Sequence, residues 1–228
     1  MSPLFSIDKS HPDFSIEAEL LKDGYRYIAG IDEAGRGALA GPLGIGLVIY
    51  SPEIYRFIPE EISATINDSK QITHKKRVIA LANVEKFALS AVSVLVPHTI
   101  IDEININRAT ELGIKRLLEK SPVKPDVLII DGNYKFSFAI PSVSVIKGDS
   151  RSISIASASI LAKVRRDAIM DKIDEKCPGY GFNCNKGYGT ASHLASIKKT
   201  GFSRVHRKSY DPVRSMIEAQ GILFNEDY

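Results

Sequence analysis

Two adjacent carboxylates, Asp32 and Glu33, follow an apolar segment and are followed at once by Gly35-Arg36-Gly37. Carboxylates can act as general acids or bases, and they can also bind divalent cations. Neighbouring side chains of a strand point to opposite faces, so the pair can serve one site only if the chain bends, which glycine permits. On its own, such a pair is more typical of a solvated turn after a strand, so its chemistry depends on other acidic residues.

Two further aspartates follow apolar runs that are typical of buried strands. Asp131 comes directly after residues 126–130, and Asp149 lies shortly after residues 143–146. The ends of neighbouring strands share one edge of a sheet, where adjacent strands are about 4.8 Å apart. We therefore predict that four acidic side chains, each at a strand end, share one small cavity: Asp32, Glu33, Asp131 and Asp149.

Four carboxylates at that spacing repel one another unless cations lie between them. Oxygen ligands without a nearby His or Cys suit Mg²⁺ or Mn²⁺ rather than zinc. Two such ions about 3.5–4 Å apart form the usual clamp for phosphodiester displacement, in which one activates a water and the other stabilises the leaving 3′ oxygen. The pattern therefore favours metal-dependent cleavage of a phosphodiester.

Two of these aspartates also have an alternative, purely structural interpretation. Asp131-Gly132-Asn133 is typical of a type I′ hairpin turn between two strands. Asp149 precedes Ser150 and a long helical pattern, so it could be the N-cap of that helix. Both roles are compatible with a place in the site, and both stay open at this point.

The remaining pattern predicts a mixed sheet flanked by helices. Strands are predicted over residues 25–31, 41–50, 88–96, 126–130 and 143–146, and helices over 73–86, 107–120, from 153 onwards, and near 190–200 and 211–222. Residues 1–24 are predicted to be an N-terminal extension and residues 214–228 a C-terminal tail. The domain between them, residues 25–213, ends in a helical C-terminal region.

Composition narrows the function classes. The chain has 228 residues, of which 44% are apolar and 25% charged, as in an ordinary globular domain, and it has no apolar run long enough to span a bilayer. The N-terminus does not resemble a secretory signal, so we expect a cytoplasmic protein without a membrane partner. Cys177 and Cys184 match no zinc pattern and are expected to be reduced.

Basic residues are concentrated near the C-terminus. Residues 186–214 contain seven Lys or Arg residues and one acidic residue. Such a segment is typical of a surface that binds a polyanion, although a solvated charged face is an equally good interpretation.

Six short motifs, in order from about residue 25 to 213, resemble those of the type 2 ribonuclease H family, ribonuclease HII. Each motif is weakly specific alone, but their order over some 190 residues is highly specific. They are Ile31-Asp-Glu-Ala-Gly-Arg-Gly37 with Gly41-Pro42, Asn67-Asp-Ser-Lys70, Ile130-Asp-Gly-Asn133, Lys147-Gly-Asp-Ser150, Ser157-Ala-Ser-Ile-Leu-Ala-Lys163 with Arg166-Asp167, and Lys186-Gly-Tyr-Gly-Thr190 with His193.

The resemblance implies an α/β, ribonuclease H-like fold with a five-stranded mixed sheet flanked by helices. It implies an endoribonuclease that cuts the RNA strand of RNA–DNA hybrids and also cuts 5′ of a single ribonucleotide in duplex DNA, leaving 5′-phosphate and 3′-hydroxyl ends. Those substrates link it to DNA replication and ribonucleotide excision repair. Two Mn²⁺ or Mg²⁺ ions per site are implied when substrate is bound, and the expected protein is a monomer.

Residue roles follow from the same resemblance. Asp32, Glu33, Asp131 and Asp149 become the metal-binding catalytic carboxylates. Gly35, Arg36 and Gly37 would read the 2′-hydroxyl at the junction, the group that separates RNA from DNA, and Tyr188 would pack against the following deoxyribose. Lys70 and Lys163 are candidate phosphate or carboxylate partners, with a surface or packing role as the alternative.

Three features refine the resemblance. Asn185 stands where many relatives have His. The Gly-Arg-Gly turn and the short N-terminal segment separate the chain from the type 3 branch, and the Lys-Gly-Asp-Ser motif looks bacterial. The alternatives to this function are another nuclease of the same superfold, which would not need Gly35-Arg36-Gly37 and Tyr188, and a non-catalytic nucleic-acid-binding module. No sequence feature supports a sliding clamp as a partner.

Overall fold

The computed structural model describes residues 11–66 and 73–219. Lys70 and its motif lie outside the described residues, as do the first ten residues of the predicted extension and most of the predicted tail. Across the described ranges, no helix has the length and apolar character that crossing a membrane would require.

Five strands form one mixed sheet. They are β1 (Ile28–Ala34), β2 (Leu43–Ile49), β3 (Ser90–Val96), β4 (Val127–Asp131) and β5 (Ser142–Val145), and their order in the sheet is β3-β2-β1-β4-β5. β1 pairs antiparallel with β2 and parallel with β4, and β4 pairs parallel with β5. The five-stranded mixed sheet that was predicted is therefore confirmed.

Eight α-helices are present in the described part of the chain. They are α1 (Ser15–Lys22), α2 (Glu60–Thr65), α3 (His74–Phe87), α4 (His98–Lys120), α5 (Ile153–Lys176), α6 (Phe182–Asn185), α7 (Ala191–Thr200) and α8 (Val213–Ala219). Thr73 caps α3 as predicted, because its hydroxyl accepts the Lys76 N–H. Asn105 has a positive φ inside α4, and its side-chain oxygen accepts the N–H groups of Asn107 and Arg108. This internal cap explains why the sequence pattern predicts a helix only from residue 107.

The chain divides into two compact units. Of the described residues, the first comprises 11–34, 44–66, 73–94 and 111–165, and the second comprises 35–43, 95–110 and 166–219. In the first unit, Phe14, Ile16 and Leu20 belong to the same buried cluster as the strand residues. Part of the segment predicted to precede the core therefore helps to build it.

Close backbone contact joins β1 to α5 within the first unit. A Cβ added at Gly30 would lie 2.2 Å from the carbonyl carbon of Ser154 and 2.5 Å from the Ile155 nitrogen. Only glycine allows that approach, which holds the first turn of α5 against the strand that carries Asp32.

The second unit has its own small apolar cluster. Met170 of α5 and Phe182 of α6 are fully buried there, together with Ala40 and Cys177. Cys177 and Cys184 are both free thiols, as expected from their spacing.

Candidate active site

Three of the four predicted carboxylates come together in the first unit. Asp32, Asp131 and Asp149 each offer a carboxylate oxygen, and these oxygens lie within 4.8 Å of one another. Strand register explains the first two, because Ile31 of β1 pairs with Ile130 of β4 and the next residue of each strand is the aspartate. The sequence prediction that separate acids converge on one sheet edge therefore agrees with the geometry for these three.

Asp149 reaches the cluster from a turn rather than from a strand. β5 ends at Val145, and Asp149 lies in the 3₁₀ turn Gly148–Ser150, so the expectation that it ends a strand is wrong. The Gly148 N–H donates to Asp131 Oδ1 at 2.6 Å, which ties this turn to the end of β4. The turn is thus held at the level of the other two carboxylates.

The two structural alternatives for these aspartates are also wrong. A hairpin at Asp131 is excluded because β4 and β5 run parallel. The N-terminus of α5 is capped by Ser152, whose Oγ accepts the Ile155 N–H at 3.1 Å, and not by Asp149.

Glu33 is the predicted carboxylate that the structure does not place in that group. β1 continues through Ala34, so Asp32 is buried while Glu33, on the opposite face, is only half-buried. The bend that the sequence argument required comes only after the strand, at Gly35 with φ +87°. Glu33 Oε1 instead accepts a hydrogen bond from Tyr134 Oη at 2.7 Å.

Burial and electrostatic repulsion both act on the carboxylates of the cluster. Burial, followed by repulsion from Glu33 and Asp131, raises the pKa of Asp32 well above its ordinary value, and hydrogen bonds from Ser159 and the Glu33 N–H offset part of the rise. Three carboxylate oxygens this close together are the donor set that a hard divalent cation prefers. The chemistry of these residues therefore fits Mg²⁺ or Mn²⁺.

The Gly35-Arg36-Gly37 turn belongs to the second unit. The Gly35 N–H donates to Tyr188 Oη at 3.0 Å, and a Cβ at Gly35 would lie 1.9 Å from Arg166 Nε. Its positive φ and this close approach both require glycine. Gly37 is exposed, and a Cβ there would meet no atom within 4 Å, so this end of the turn is open to a ligand.

Arg207 holds the turn from inside. It is fully buried and donates to the carbonyls of Gly35 at 2.7 Å, Arg36 at 2.8 Å and Gly41 at 3.1 Å. In the sequence, Arg207 is one of seven basic residues of a segment whose two interpretations are a polyanion-binding surface and a solvated charged face. Composition gives no signal for this role, because nothing in a sequence shows which of seven basic residues is buried.

Arg166, the second fully buried arginine of this unit, supports the next part of the loop. Its Nε donates to the Pro42 carbonyl at 2.8 Å, and its guanidinium lies 5.5 Å from the Tyr188 ring centroid. Nη1 is buried and has no hydrogen-bond partner among the described residues. The cation–π contact with the Tyr188 ring offsets part of the cost of burying this group. Burial lowers the pKa of Arg166 to about 10, which leaves it charged at neutral pH.

The Arg36 side chain contacts α4. Its Nη1 donates to Thr110 Oγ1 at 3.1 Å and its Nη2 donates to Asn107 Oδ1. These hydrogen bonds attach the turn to α4. The part of the motif that a ligand can approach closely is therefore its backbone at Gly37.

A chain of hydrogen bonds through two buried histidines holds Tyr188. The Ser203 N–H donates to His206 Nδ1 at 2.9 Å, so the His206 proton lies on Nε2 and points to His193 Nε2, 3.0 Å away. His193 Nδ1 then carries a proton and donates to the Tyr188 carbonyl at 2.9 Å. This arrangement requires both rings to be neutral.

Asn185, the departure from the family motif, stabilises the same turn. Its Oδ1 accepts the Gly187 N–H at 2.8 Å and its Nδ2 donates to the Tyr180 carbonyl at 2.7 Å. Asparagine therefore has a defined structural role immediately before Lys186-Gly-Tyr-Gly.

Comparisons with known proteins point to a single family. A family model described as Ribonuclease HII matches residues 29–213. A Ribonuclease HII of Listeria monocytogenes serotype 4b is 42% identical over 199 residues, covering 87% of this chain and 73% of the relative. One of Chloroflexus aurantiacus is 42% identical over 202 residues, covering 89% and 94%.

Solved structures show the same fold. The ribonuclease H2 of Pyrococcus horikoshii OT3 is similar with a TM-score of 0.70 at 25% identity, covering 85% of this chain and 98% of that one. An Archaeoglobus fulgidus RNase HII, solved in a complex with PCNA, has a TM-score of 0.67 at 22% identity over 81% and 95%. Bst-RNase HIII, solved with Mn²⁺, has a TM-score of 0.60 at 15% identity over 87% and 71%. The last two likenesses concern the fold alone.

Replacing one aspartate of the cluster with asparagine should weaken the repulsion between the carboxylates. In a chelating buffer at pH 8, we expect Asp32→Asn to raise the free energy of unfolding by about 1 kcal/mol, because one of several repelling carboxylates becomes neutral. Urea unfolding with and without Mn²⁺ measures this effect. When Mn²⁺ is added, we expect the wild type to become more stable than Asp32→Asn, because the cation stabilises the wild type more. Asp23→Asn, at an exposed position after α1, is the control, and a less stable Asp32→Asn protein in chelator would contradict the expectation.

The histidine pair predicts a loss of stability in acid. Burial, and then His193, lower the pKa of His206 from 6.5 to about 4. The neutral ring therefore stabilises the folded state fully above pH 6.5, and this contribution is lost as the pH falls toward 4. Between pH 7 and 4.5 the difference in unfolding free energy between wild type and His206→Gln should shrink by about 2 kcal/mol. A pH-independent difference in urea unfolding would refute this account.

Proposed function

From the premise that this chain belongs to the ribonuclease HII family and is a metal-dependent endoribonuclease acting on RNA–DNA hybrids, we propose that it also cuts 5′ of a single ribonucleotide in duplex DNA. The products would carry 5′-phosphate and 3′-hydroxyl ends. The single observation that carries the proposal is the group of three aspartate oxygens within 4.8 Å of one another.

Asp32, Asp131 and Asp149 are the residues proposed to hold the divalent cation, with Glu33 as a fourth ligand. We propose Mn²⁺ or Mg²⁺, with two ions when substrate is bound. A bound cation of this kind lowers the pKa of an attacking water and stabilises charge on the leaving oxygen. The protein's own contribution is positional, because the β1–β4 register and the Gly148 N–H fix the carboxylates before substrate arrives.

Substrate selection is proposed to rest on Gly35, Arg36, Gly37 and Tyr188. Arg207 engages the carbonyls of Gly35 and Arg36 from inside, so those carbonyls are not available to a ligand. The exposed, uncrowded backbone at Gly37 lets a ribose approach closely, and a 2′-hydroxyl is the group that distinguishes RNA there.

Tyr188 is proposed to pack against the deoxyribose that follows the ribonucleotide. It is 37% exposed, while its hydroxyl and its carbonyl are both held by hydrogen bonds. A ring fixed in this way offers a flat apolar face, against which a sugar without the extra oxygen packs better. The alternative, another nuclease of the same superfold, accounts for the three aspartates but gives no reason for this turn and ring.

Cleavage of a DNA duplex with one embedded ribonucleotide tests the proposed activity. With Mg²⁺ or Mn²⁺ we expect a cut on the 5′ side of the ribonucleotide, and we expect chelator to abolish it. Asp131→Asn should reduce cleavage by about three orders of magnitude or more, since it removes a ligand that acts only in the metal-bound site. Hybrid binding, measured by fluorescence anisotropy, should stay within about 2-fold of wild type.

Asp23→Asn is the matched carboxylate-to-amide control for that experiment and should cleave as wild type does. Retained cleavage by Asp131→Asn would refute the assignment of this aspartate. A cut only within uniform hybrids would refute the single-ribonucleotide activity while leaving the metal site intact.

Substitution of Tyr188 should change the preference between substrates more than the rate of the chemical step. We expect Tyr188→Ala to lower kcat/KM by about 10-fold on the single-ribonucleotide duplex and clearly less on a uniform RNA–DNA hybrid, because a ring–sugar contact is lost at the junction. Tyr188→Phe keeps the ring and should retain most of the preference. Equal losses on both substrates would indicate a structural role only.

A further inference from the structure

A buried carboxyl group lies outside the aspartate cluster, in the helix that precedes the sheet. Glu17 of α1 is fully buried, and glutamates are almost never fully buried unless they have partners. Its Oε1 accepts hydrogen bonds from the Ser152 hydroxyl at 2.6 Å and from the Ser154 N–H at 3.1 Å. Glu17 and Ser152 are 135 residues apart in the chain, so this contact joins the N-terminal helix to the start of α5.

The environment of Glu17 is costly for a carboxyl group. Its Oε2 is buried and has no hydrogen-bond partner among the described residues. Burial raises the pKa of Glu17, while the hydrogen bonds from Ser152 and Ser154 lower it. An apolar side chain of similar size would avoid this desolvation cost. Stability alone therefore does not account for a glutamate at this position.

Ser152 links Glu17 to the turn that belongs to the candidate metal site. The Ser152 hydroxyl donates to Glu17, and the Ser152 N–H donates to the Gly148 carbonyl at 2.8 Å. The Gly148 N–H in turn donates to Asp131 Oδ1 at 2.6 Å. A continuous path of hydrogen bonds therefore runs from α1 to the 3₁₀ turn that contains Asp149.

Backbone contacts hold the segment before α1 against the same region. The Asp13 N–H donates to the Arg151 carbonyl at 3.3 Å, and the Ile153 N–H donates to the Asp13 carbonyl at 3.0 Å. Phe14 and Ile16 are buried in the same apolar cluster as Ile153. The Glu17 side chain is therefore presented to the start of α5 by a segment that is itself packed and hydrogen-bonded there.

We propose that Glu17 is a positioning residue that holds the Asp149 turn, through Ser152, in the conformation that binds the divalent cation. The proposal rests on the metal site of the proposed function. The carboxylates of the cluster repel one another, and this repulsion favours movement of the turn away from the two strand ends.

Loss of the Glu17 carboxyl would weaken this restraint. The Ser152 hydroxyl and the Ser154 N–H would then lack the acceptor that they share in the folded protein. The start of α5 and the turn before it would sample more conformations, and the entropy of ordering them would oppose cation binding. Residues that orient metal ligands from a distance affect metal affinity in this way.

Glu17→Ala and Glu17→Gln form a paired test, because glutamine keeps an acceptor oxygen for Ser152 and alanine does not. By isothermal titration calorimetry with Mn²⁺ and no nucleic acid, we expect the affinity of Glu17→Ala to fall about 10-fold. The affinity of Glu17→Gln should stay within about 3-fold of wild type, since the restraint on the turn is kept.

Leu81→Ala is the control for a general loss of stability. Leu81 is a buried residue of α3 in the core of the same unit, and it has no part in the hydrogen bonds of Ser152. This variant should unfold at a lower urea concentration than wild type but bind Mn²⁺ with unchanged affinity. All titrations are made in buffer without urea, on proteins whose circular dichroism matches that of wild type.

A double-mutant cycle with Ser152→Ala tests the route of the effect. Ser152→Ala removes the hydroxyl but keeps the N–H that donates to Gly148, and we expect it to weaken Mn²⁺ binding about 10-fold by itself. Adding Glu17→Ala to it should change the affinity by less than about 3-fold. If Glu17→Ala does not fold, Ser152→Ala alone measures the same link.

Cleavage assays separate positioning from chemistry. For Glu17→Ala, the Mn²⁺ concentration for half-maximal rate should rise by the same factor as the dissociation constant. The rate at saturating Mn²⁺ should return close to that of wild type, because Glu17 contacts neither the cation nor the substrate.

Four results would overturn the proposal: an unchanged or tighter Mn²⁺ affinity of Glu17→Ala or of Ser152→Ala, an equal loss in Glu17→Gln, an equal loss in Leu81→Ala, or a full further loss when Glu17→Ala is added to Ser152→Ala. A failure of the proposed function is a separate result. A wild type that binds Mn²⁺ but cleaves neither a hybrid nor a single-ribonucleotide duplex would reject the activity and leave the Glu17 measurement valid.

Discussion

Parallel pairing of β1 with β4 is the constraint on which the carboxylate cluster depends. Once Ile31 is opposite Ile130, the following aspartates of the two strands have to lie side by side. A shift in register would separate them, but it would also disrupt the apolar packing on both faces of these buried strands. The buried strand residues therefore hold like charges together, and repulsion between them is a stability cost that a bound cation relieves.

In the first unit, a few specific backbone features support that arrangement. Gly30 lets α5 approach β1 at backbone distance, and the Gly148 N–H anchors the turn that carries Asp149. The first contact is between backbone atoms, and in the second a backbone N–H holds the Asp131 carboxylate. Such contacts would preorganise the proposed metal site.

In the second unit, two buried arginines support a loop that has no regular secondary structure. The loop of residues 35–42 has no strand partner for most of its carbonyls, and Arg207 and Arg166 donate to them instead. Burying a guanidinium is costly unless its donors are satisfied. Several carbonyl acceptors, together with the rings of Tyr188 and Tyr210 beneath the two guanidiniums, offset that cost and hold the loop in one conformation.

The sequence by itself determined the five strands, several of the helices and the acidic composition of the candidate site. Apolar runs ending near Asp131 and Asp149, the Thr73 cap and the long helix from Ile153 were readable because periodicity and capping act over a few residues. The convergence of Asp32, Asp131 and Asp149 was predicted from apolar runs followed by acids, although Asp149 lies in a turn and the strand register was not predicted. Only the tertiary structure decided that β1 continues past Glu33, that Ser152 rather than Asp149 caps α5, and that Arg207 is buried. Those outcomes depend on contacts between residues far apart in the chain, such as Tyr134 with Glu33, and local patterns do not encode them.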